Sequence, residues 1–269
     1  MQELYSQDYH ETTGSQAETS ADTIVPLIIN LIAPKSVVDI GCGVGAWLDA
    51  FSRHGVEDLR GFDSQTVPAA FLRIPPDRFT VCDLSSRIAL DRRFDLAVSL
   101  EVAEHIPPAS AQTFVDTLVG LSDVVFFSAA IPGQAPGHHL NEQWPEYWTQ
   151  LFETRGYQVV DCLRAKIWND PKVTYYYAQN CLIFVRRDRL DRYAKLLAVA
   201  SASPGPLSLV HPRKYLSIIE MTSWTNERLW NSFRFVLGFK IKSWIKNVTG
   251  ISARRARRAG LAEPRNRAL

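Results

Sequence analysis

The chain contains no run of 18 uncharged apolar residues, so no spanning helix is expected. It has only four cysteines, at 42, 82, 162 and 181, and no CxxC pair. That spacing argues against a zinc cluster and predicts free thiols in a reducing compartment. The first twenty residues are polar and acidic, without the apolar core of a secretory signal, so a cytoplasmic protein is expected. No Gly-Lys-Ser/Thr follows the glycine-rich stretch at 41–45, which disfavours ATP or GTP. That stretch reads GxGxG rather than GxGxxG, which disfavours a nicotinamide dinucleotide and its oxidoreductase chemistry. No Asp or Glu occurs between Arg228 and Ala262. What remains is ordinary globular composition, 46% hydrophobic and 22% charged over 269 residues, which excludes a wholly disordered or fibrous chain.

Charge divides the chain. Residues 1–185 carry 12 Lys and Arg against 23 Asp and Glu, and residues 186–269 carry 18 against 5. The net charge of +2 therefore hides a switch near Val185, which predicts an acidic domain over 1–185 and a basic, largely helical extension over 186–269. Pro204-Gly205-Pro206 reads as a linker. Trp230, Phe233, Leu237, Ile241 and Trp244 fall on one helical face with Lys and Arg interspersed. Over 224–258 this predicts peripheral contact with the anionic inner face of a membrane, with docking on the acidic domain as the rival. Nucleic acid is not the expected partner, and the residues from Ser252 onward are expected to be disordered.

Within the acidic part, apolar runs alternate with helical patterns. Strands are expected over 36–40, 58–62, 79–82, 94–100, 124–130 and 157–160 and from Cys181 to Val185; helices over 17–31, 47–54, 109–121 and 142–155. That alternation predicts an α/β fold with a mostly parallel sheet covered on both faces. Ligands of such sheets bind beyond the carboxyl ends of the strands. Asp63, Asp83 and Glu101 all fall at such ends, behind a glycine loop (Gly41, Gly43, Gly45) that allows a tight turn and close ligand approach. A carboxylate at Asp63 suits ribose hydroxyls, and Asp83 with Leu84 suits an adenine.

The ordered strings VVDIGCGVGAW (37–47), GFD (61–63), CDL (82–84) and FDLAVSLEVAEHIPP (94–108) resemble class I S-adenosylmethionine (SAM)-dependent methyltransferases, closest to bacterial members of EVxEH type. The resemblance covers about residues 20–185 and implies a Rossmann-like, seven-stranded sheet whose last strand runs antiparallel. It also implies SAM as cofactor: Gly41, Cys42, Gly43 and Gly45 around the methionine part, Asp39 orienting the loop or the amine, and Asp63 on the ribose. Asp83 and Leu84 would hold the adenine, with Glu101 beside the methyl donor. In the family a segment such as 1–16 closes over the cofactor as a lid, which makes Tyr9 a candidate substrate contact.

Methyl transfer to a hydroxyl needs a base as the proton leaves. His105 and His139 are the candidates, with Glu104 beside them; an imidazole of pKa about 6.5 suits that role. Asn141, Glu142, Gln143 and Trp144 follow and are candidate substrate contacts, Asn141 doubling as the N-cap of the next helix. These residues predict O-methylation of a sugar, glycan or lipid-linked small molecule. No metal is expected. The alternative is magnesium or manganese held by Glu101, Glu104, His105 and His139, a set that resembles metal-dependent RNA-end methyltransferases. A non-catalytic, cofactor-binding scaffold is the third reading.

Overall fold

The structure is a computed structural model. It describes residues 7–64, 67–134, 139–200 and 205–222, and the side chains of 15–219 within those ranges. The chain divides into two compact units, Met1–Lys214 and Tyr215–Leu269. Of the expected lid, 1–16, residues 1–6 lie outside the described residues, and residues 7–16 belong to the helix Gln7–Ile32, which starts ten residues earlier than expected. The aromatic face at 230–244, the tail from Ser252 and the side chain of Tyr9 also lie outside the described residues.

The elements follow as α1 (Gln7–Ile32), β1 (Ser36–Ile40), α2 (Ala46–Arg53), β2 (Asp58–Asp63), β3 (Phe79–Val81), β4 (Leu96–Leu100), α3 (Ala111–Leu121), β5 (Val124–Ser128), α4 (Pro145–Glu153), β6 (Tyr157–Val160), α5 (Arg164–Ile167), α6 (Tyr175–Asn180), β7 (Leu182–Arg186), α7 (Ala194–Ala200) and α8 (Pro212–Thr222). The strands form one seven-stranded sheet in the order β3-β2-β1-β4-β5-β7-β6. β1 to β5 pair in parallel, and β7 runs antiparallel to both β5 and β6.

Strand periodicity explains the two covered faces. In β1, β4, β5 and β7 every residue but Arg186 is buried, and alternate side chains enter different apolar clusters. Val37, Leu96, Leu100, Phe126 and Ile183 pack with α1, α2 and α6. Val38, Ala97, Phe127 and Phe184 pack with α3 and α4, where Phe152 stacks on Phe184 at 3.9 Å between ring centroids.

Several expected boundaries differ, and two of these differences bear on the site. The helix expected from 142 begins at Pro145, with Trp144 rather than Asn141 at its N-cap, because Asn141 is drawn inward to the Glu104 carbonyl. The expected linker is tied into the first unit: the fully buried Arg164 donates from Nη1 to the Leu207 carbonyl (2.6 Å) and from Nη2 to the Pro206 carbonyl (3.3 Å). The compact unit therefore ends at Lys214, well past the charge switch at Val185.

Strand order reverses at β1, whose neighbours β2 and β4 lead to opposite edges of the sheet. The crevice at their carboxyl ends is where α/β sheets hold ligands. Both the glycine loop and Glu101 open onto it.

Candidate functional site

The loop after β1 turns on left-handed glycines, with φ of 87° at Gly41, 53° at Gly43 and 83° at Gly45. A Cβ on Gly41 would lie 2.3 Å from a Val102 methyl, so the β1 and β4 loops can approach only because position 41 has no side chain. A Cβ on Gly43 would meet nothing within 4 Å; this backbone faces open space. Asp63, at the end of β2, accepts the Gly43 N–H at 2.7 Å and so pins the loop. The Cys42 N–H donates to the Phe62 carbonyl, and its buried thiol fills the gap left by Gly61. Burial first, and then the charges of Asp39 and Asp63, push that thiol well above its ordinary pKa, so it packs rather than reacts. Asp39 is fully buried beneath the loop, and burial, followed by the charge of Asp63, holds its carboxyl well above the usual range.

Asp83 is exposed, and its own turn engages it: Ser85 donates from its backbone and hydroxyl to Oδ1, and Ser86 donates to Oδ2. Those bonds lower its pKa. Leu84 is buried beside it.

Glu101 has a φ of 55°, a left-handed conformation unusual for a residue with a side chain. Its N–H donates to the carbonyl and the hydroxyl of Ser128 at the end of β5. Oε1 accepts from Asn180 Nδ2 at 3.0 Å, and Oε2 accepts from Gln134 Nε2 at 2.5 Å. Burial raises its pKa, and the bonds from Asn180, Ser128 and Gln134 oppose that rise.

Beyond β4, Ala103–His105 forms a short 3-10 turn. Glu104 is almost fully buried, and its Oε2 has no hydrogen-bond partner. Burial, and then the charge of Glu101, push its carboxyl well above the usual range. Its carbonyl accepts the N–H groups of Leu140 and Asn141, which draws the segment after β5 against the turn. The rings of His105 and His139 meet edge-on at 4.8 Å. His139 Nδ1 lies 2.7 Å from Glu142 Oε1, and Glu142 Oε2 accepts the Gly133 N–H at 2.6 Å. With Nδ1–H donated to that carboxylate, Nε2 is the basic nitrogen, the arrangement of a base oriented by an acid.

The predicted substrate set therefore divides. Glu142 supports His139, and the buried Asn141 supports the loop and accepts from Gln143. Trp144 is 41% exposed and presents a ring to solvent. One ligand atom each from Glu104, His105 and His139 lies within 4.8 Å of the others, a geometry that could hold a cation. Glu101, expected in that set, stands outside it. Gln134, Gln179 and Asn180 escaped the sequence reading. The available signal was the amide pair just before a strand that had to be buried, and a glutamine in the loop after β5.

Residues 15–118 match the family model of a methyltransferase domain. That stretch of the chain is similar to a methyltransferase domain. The glycine loop, Asp63, Asp83 and Glu101–His105 all lie inside this match, and His139 and the amide residues lie beyond it. A ubiquinone biosynthesis O-methyltransferase of Acinetobacter baumannii is 32% identical over 106 residues, 36% of this chain and 44% of that protein. The Pseudomonas aeruginosa protein of the same name is 32% identical over 126 residues, 39% of this chain and 51% of its own. The chain thus spans about half the length of these curated relatives. A SAM-bound amino pentose methyltransferase from Micromonospora echinaspora superposes with a TM-score of 0.49 at 14% identity, covering 68% of this chain and 98% of that one.

The residues around the methyltransferase crevice fit SAM. Gly43 leaves its backbone facing open space, the carboxylates of Asp63 and Glu101 suit hydroxyls and cationic groups, and Leu84 offers an apolar edge.

Proposed function

We propose that this chain is a SAM-dependent methyltransferase that methylates a hydroxyl oxygen on a sugar, a glycan intermediate or a lipid-linked small molecule. The observation that carries the reading is the His139–Glu142 pair at 2.7 Å, on the sheet edge that bears the glycine loop and Glu101. A hydroxyl is a poor nucleophile until its proton leaves, and an oriented neutral imidazole takes that proton. The curated relatives are named O-methyltransferases, which supports an oxygen acceptor.

SAM, when bound, supplies an electrophilic methyl group on a positively charged sulfur. The Gly41–Gly45 loop would hold the cofactor close to the backbone, Asp63 would accept from its ribose hydroxyls, and Glu101 would orient its methionine end. His139 Nε2 takes the acceptor's proton as its oxygen attacks, and Glu142 stabilises the imidazolium that results. Trp144 offers an apolar platform for the acceptor. Residues 224–258 would bring the enzyme to an anionic membrane surface. Among the described residues no helix is long and apolar enough to cross a membrane.

The test is label transfer from methyl-labelled SAM into host lysate, with Asp63→Ala as control. Label in the lipid or saccharide fraction, absent from the control, supports the reading. Label confined to protein, or no label with cofactor bound, overturns it. A second reading rests on the Glu104–His105–His139 cluster and the orphaned Glu104 Oε2: a divalent cation there, and an RNA-end hydroxyl as acceptor. Activity lost in EDTA, restored by Mn²⁺ and delivered to RNA would favour it.

A further inference from the structure

Glu101 is held through a polarised chain of amides. An amide side chain is nearly symmetric in shape, so its orientation is set by what it bonds. Gln134 and Asn180 both turn N–H groups toward Glu101, at 2.5 and 3.0 Å. They can do so because their oxygens are occupied elsewhere. Gln134 Oε1 accepts from Asn180 Nδ2 at 2.8 Å, from Gln179 Nε2 at 3.2 Å and from the backbone N–H of Ile131 at 3.4 Å. Asn180 Oδ1 accepts from Gln179 Nε2 at 2.9 Å. Gln179 itself can donate in that direction only if its oxygen faces the other way. It does: Oε1 accepts the backbone N–H of His211 at 2.8 Å. A backbone N–H cannot reverse, unlike every side-chain amide in the chain.

His211 is in turn fixed. Its ring accepts the Arg213 N–H at Nδ1 (3.1 Å) and meets the Trp168 carbonyl at Nε2 (2.8 Å), and the ring of Trp168 packs against it at 4.7 Å. Upstream, Arg164 holds the carbonyls of Pro206 and Leu207, with Asp161 accepting from Nε and Nη2. Gln134, Gln179, Asn180 and His211 are all more than nine-tenths buried, so water does not compete for these bonds.

We infer that the His211 N–H, at 2.8 Å from Gln179 and joined by the longer Ile131 N–H bond to Gln134, sets the polarity of this relay at Gln179 and Asn180, which makes Gln179 a positioning residue for Glu101 and residues 205–211 an integral wall of the cofactor site. This rests on the SAM reading above. The segment belongs to the part of the chain that charge patterning assigns to the extension, so the extension completes the site that the acidic part begins. If the relay reversed, two amide oxygens would face the Glu101 carboxylate, and the residue would lose both donors at once.

The experiment uses the full chain, with S-adenosylhomocysteine as probe, calorimetry for affinity and NMR for the amides. Gln179→Glu keeps an acceptor for the His211 N–H but can donate nothing to Gln134 or Asn180. It is expected to weaken probe binding about tenfold or more, the scale of one hydrogen bond to a charged group, with the melting temperature held within about 4 °C. In the unaltered protein the His211 amide resonance is expected to move on probe addition, although two amide side chains separate it from Glu101. That wild-type measurement stands even if the variant fails to fold. A folded Gln179→Glu with unchanged affinity, or a His211 amide that stays still in the saturated protein, overturns the inference. A wild-type protein that binds no probe overturns the cofactor reading, and this inference with it.

Discussion

At the scale of the residue, the two loop glycines separate stability from binding. Gly41→Ala would set a methyl 2.3 Å from Val102 in a left-handed conformation. Strained backbone and overpacking together are expected to cost about 2–5 kcal/mol, read as a drop in the urea midpoint. Gly43→Ala meets no atom within 4 Å, so only the backbone term remains, about 1 kcal/mol. Its larger effect is on cofactor affinity, because the added methyl occupies the open space beside the Asp63 bond. A calorimetric titration of both variants should find the damage in opposite places: folding for Gly41, binding for Gly43. His139 makes the complementary prediction. His139→Ala should leave SAM affinity within twofold and lower the rate of methyl transfer about 100-fold or more, the usual worth of a general base. Equal loss in binding and rate would show that the ring shapes the cofactor pocket instead.

At the scale of the element, strands were legible and the segments that brace them were not. β1, β2 and β6 begin where expected; in β1 and β6 a pair of valines before Asp leaves few other conformations. β4 starts two residues later than its pattern, since Phe94 makes only an isolated bridge to Ser122. The glycine loop and the strand-end acids could be placed because each follows a strand. Gln134, Gln179 and Asn180 could not, because amides carry no local periodicity and meet only after the sheet closes. The Gly205-Pro206 turn failed for a related reason: its partner, Arg164, lies about forty residues upstream. That partner is testable. Arg164→Met keeps volume but leaves Asp161 and the carbonyls of Gln179, Pro206 and Leu207 without their donor. Removing one side of a buried ion pair typically costs about 3–5 kcal/mol. Chemical denaturation should show that loss, and unchanged stability would mean that residues 205–211 are not held by this arginine.

At the scale of the whole molecule, acidic groups collect on the rim where β1, β2 and β4 end: Asp39, Asp63, Glu101 and Glu104. Their gathering is unfavourable for folding and useful for a ligand that carries positive charge. Asp39 shows the cost most plainly. Burial, then the charge of Asp63, raise its folded pKa well above the unfolded carboxylate value. A carboxyl raised on folding binds its proton more tightly in the folded state, so stability falls as pH rises above the unfolded pKa of about 4. Asp39→Asn removes that proton linkage while keeping the shape. Its melting temperature should therefore exceed that of the unaltered protein at pH 7–8, with the difference shrinking toward pH 4 as Asp39 becomes protonated in both folded and unfolded chains. If acid residues at this rim are kept for the cofactor, the same substitution should weaken SAM binding while it stabilises the fold. A variant that gains stability and loses no affinity would assign Asp39 to the loop alone.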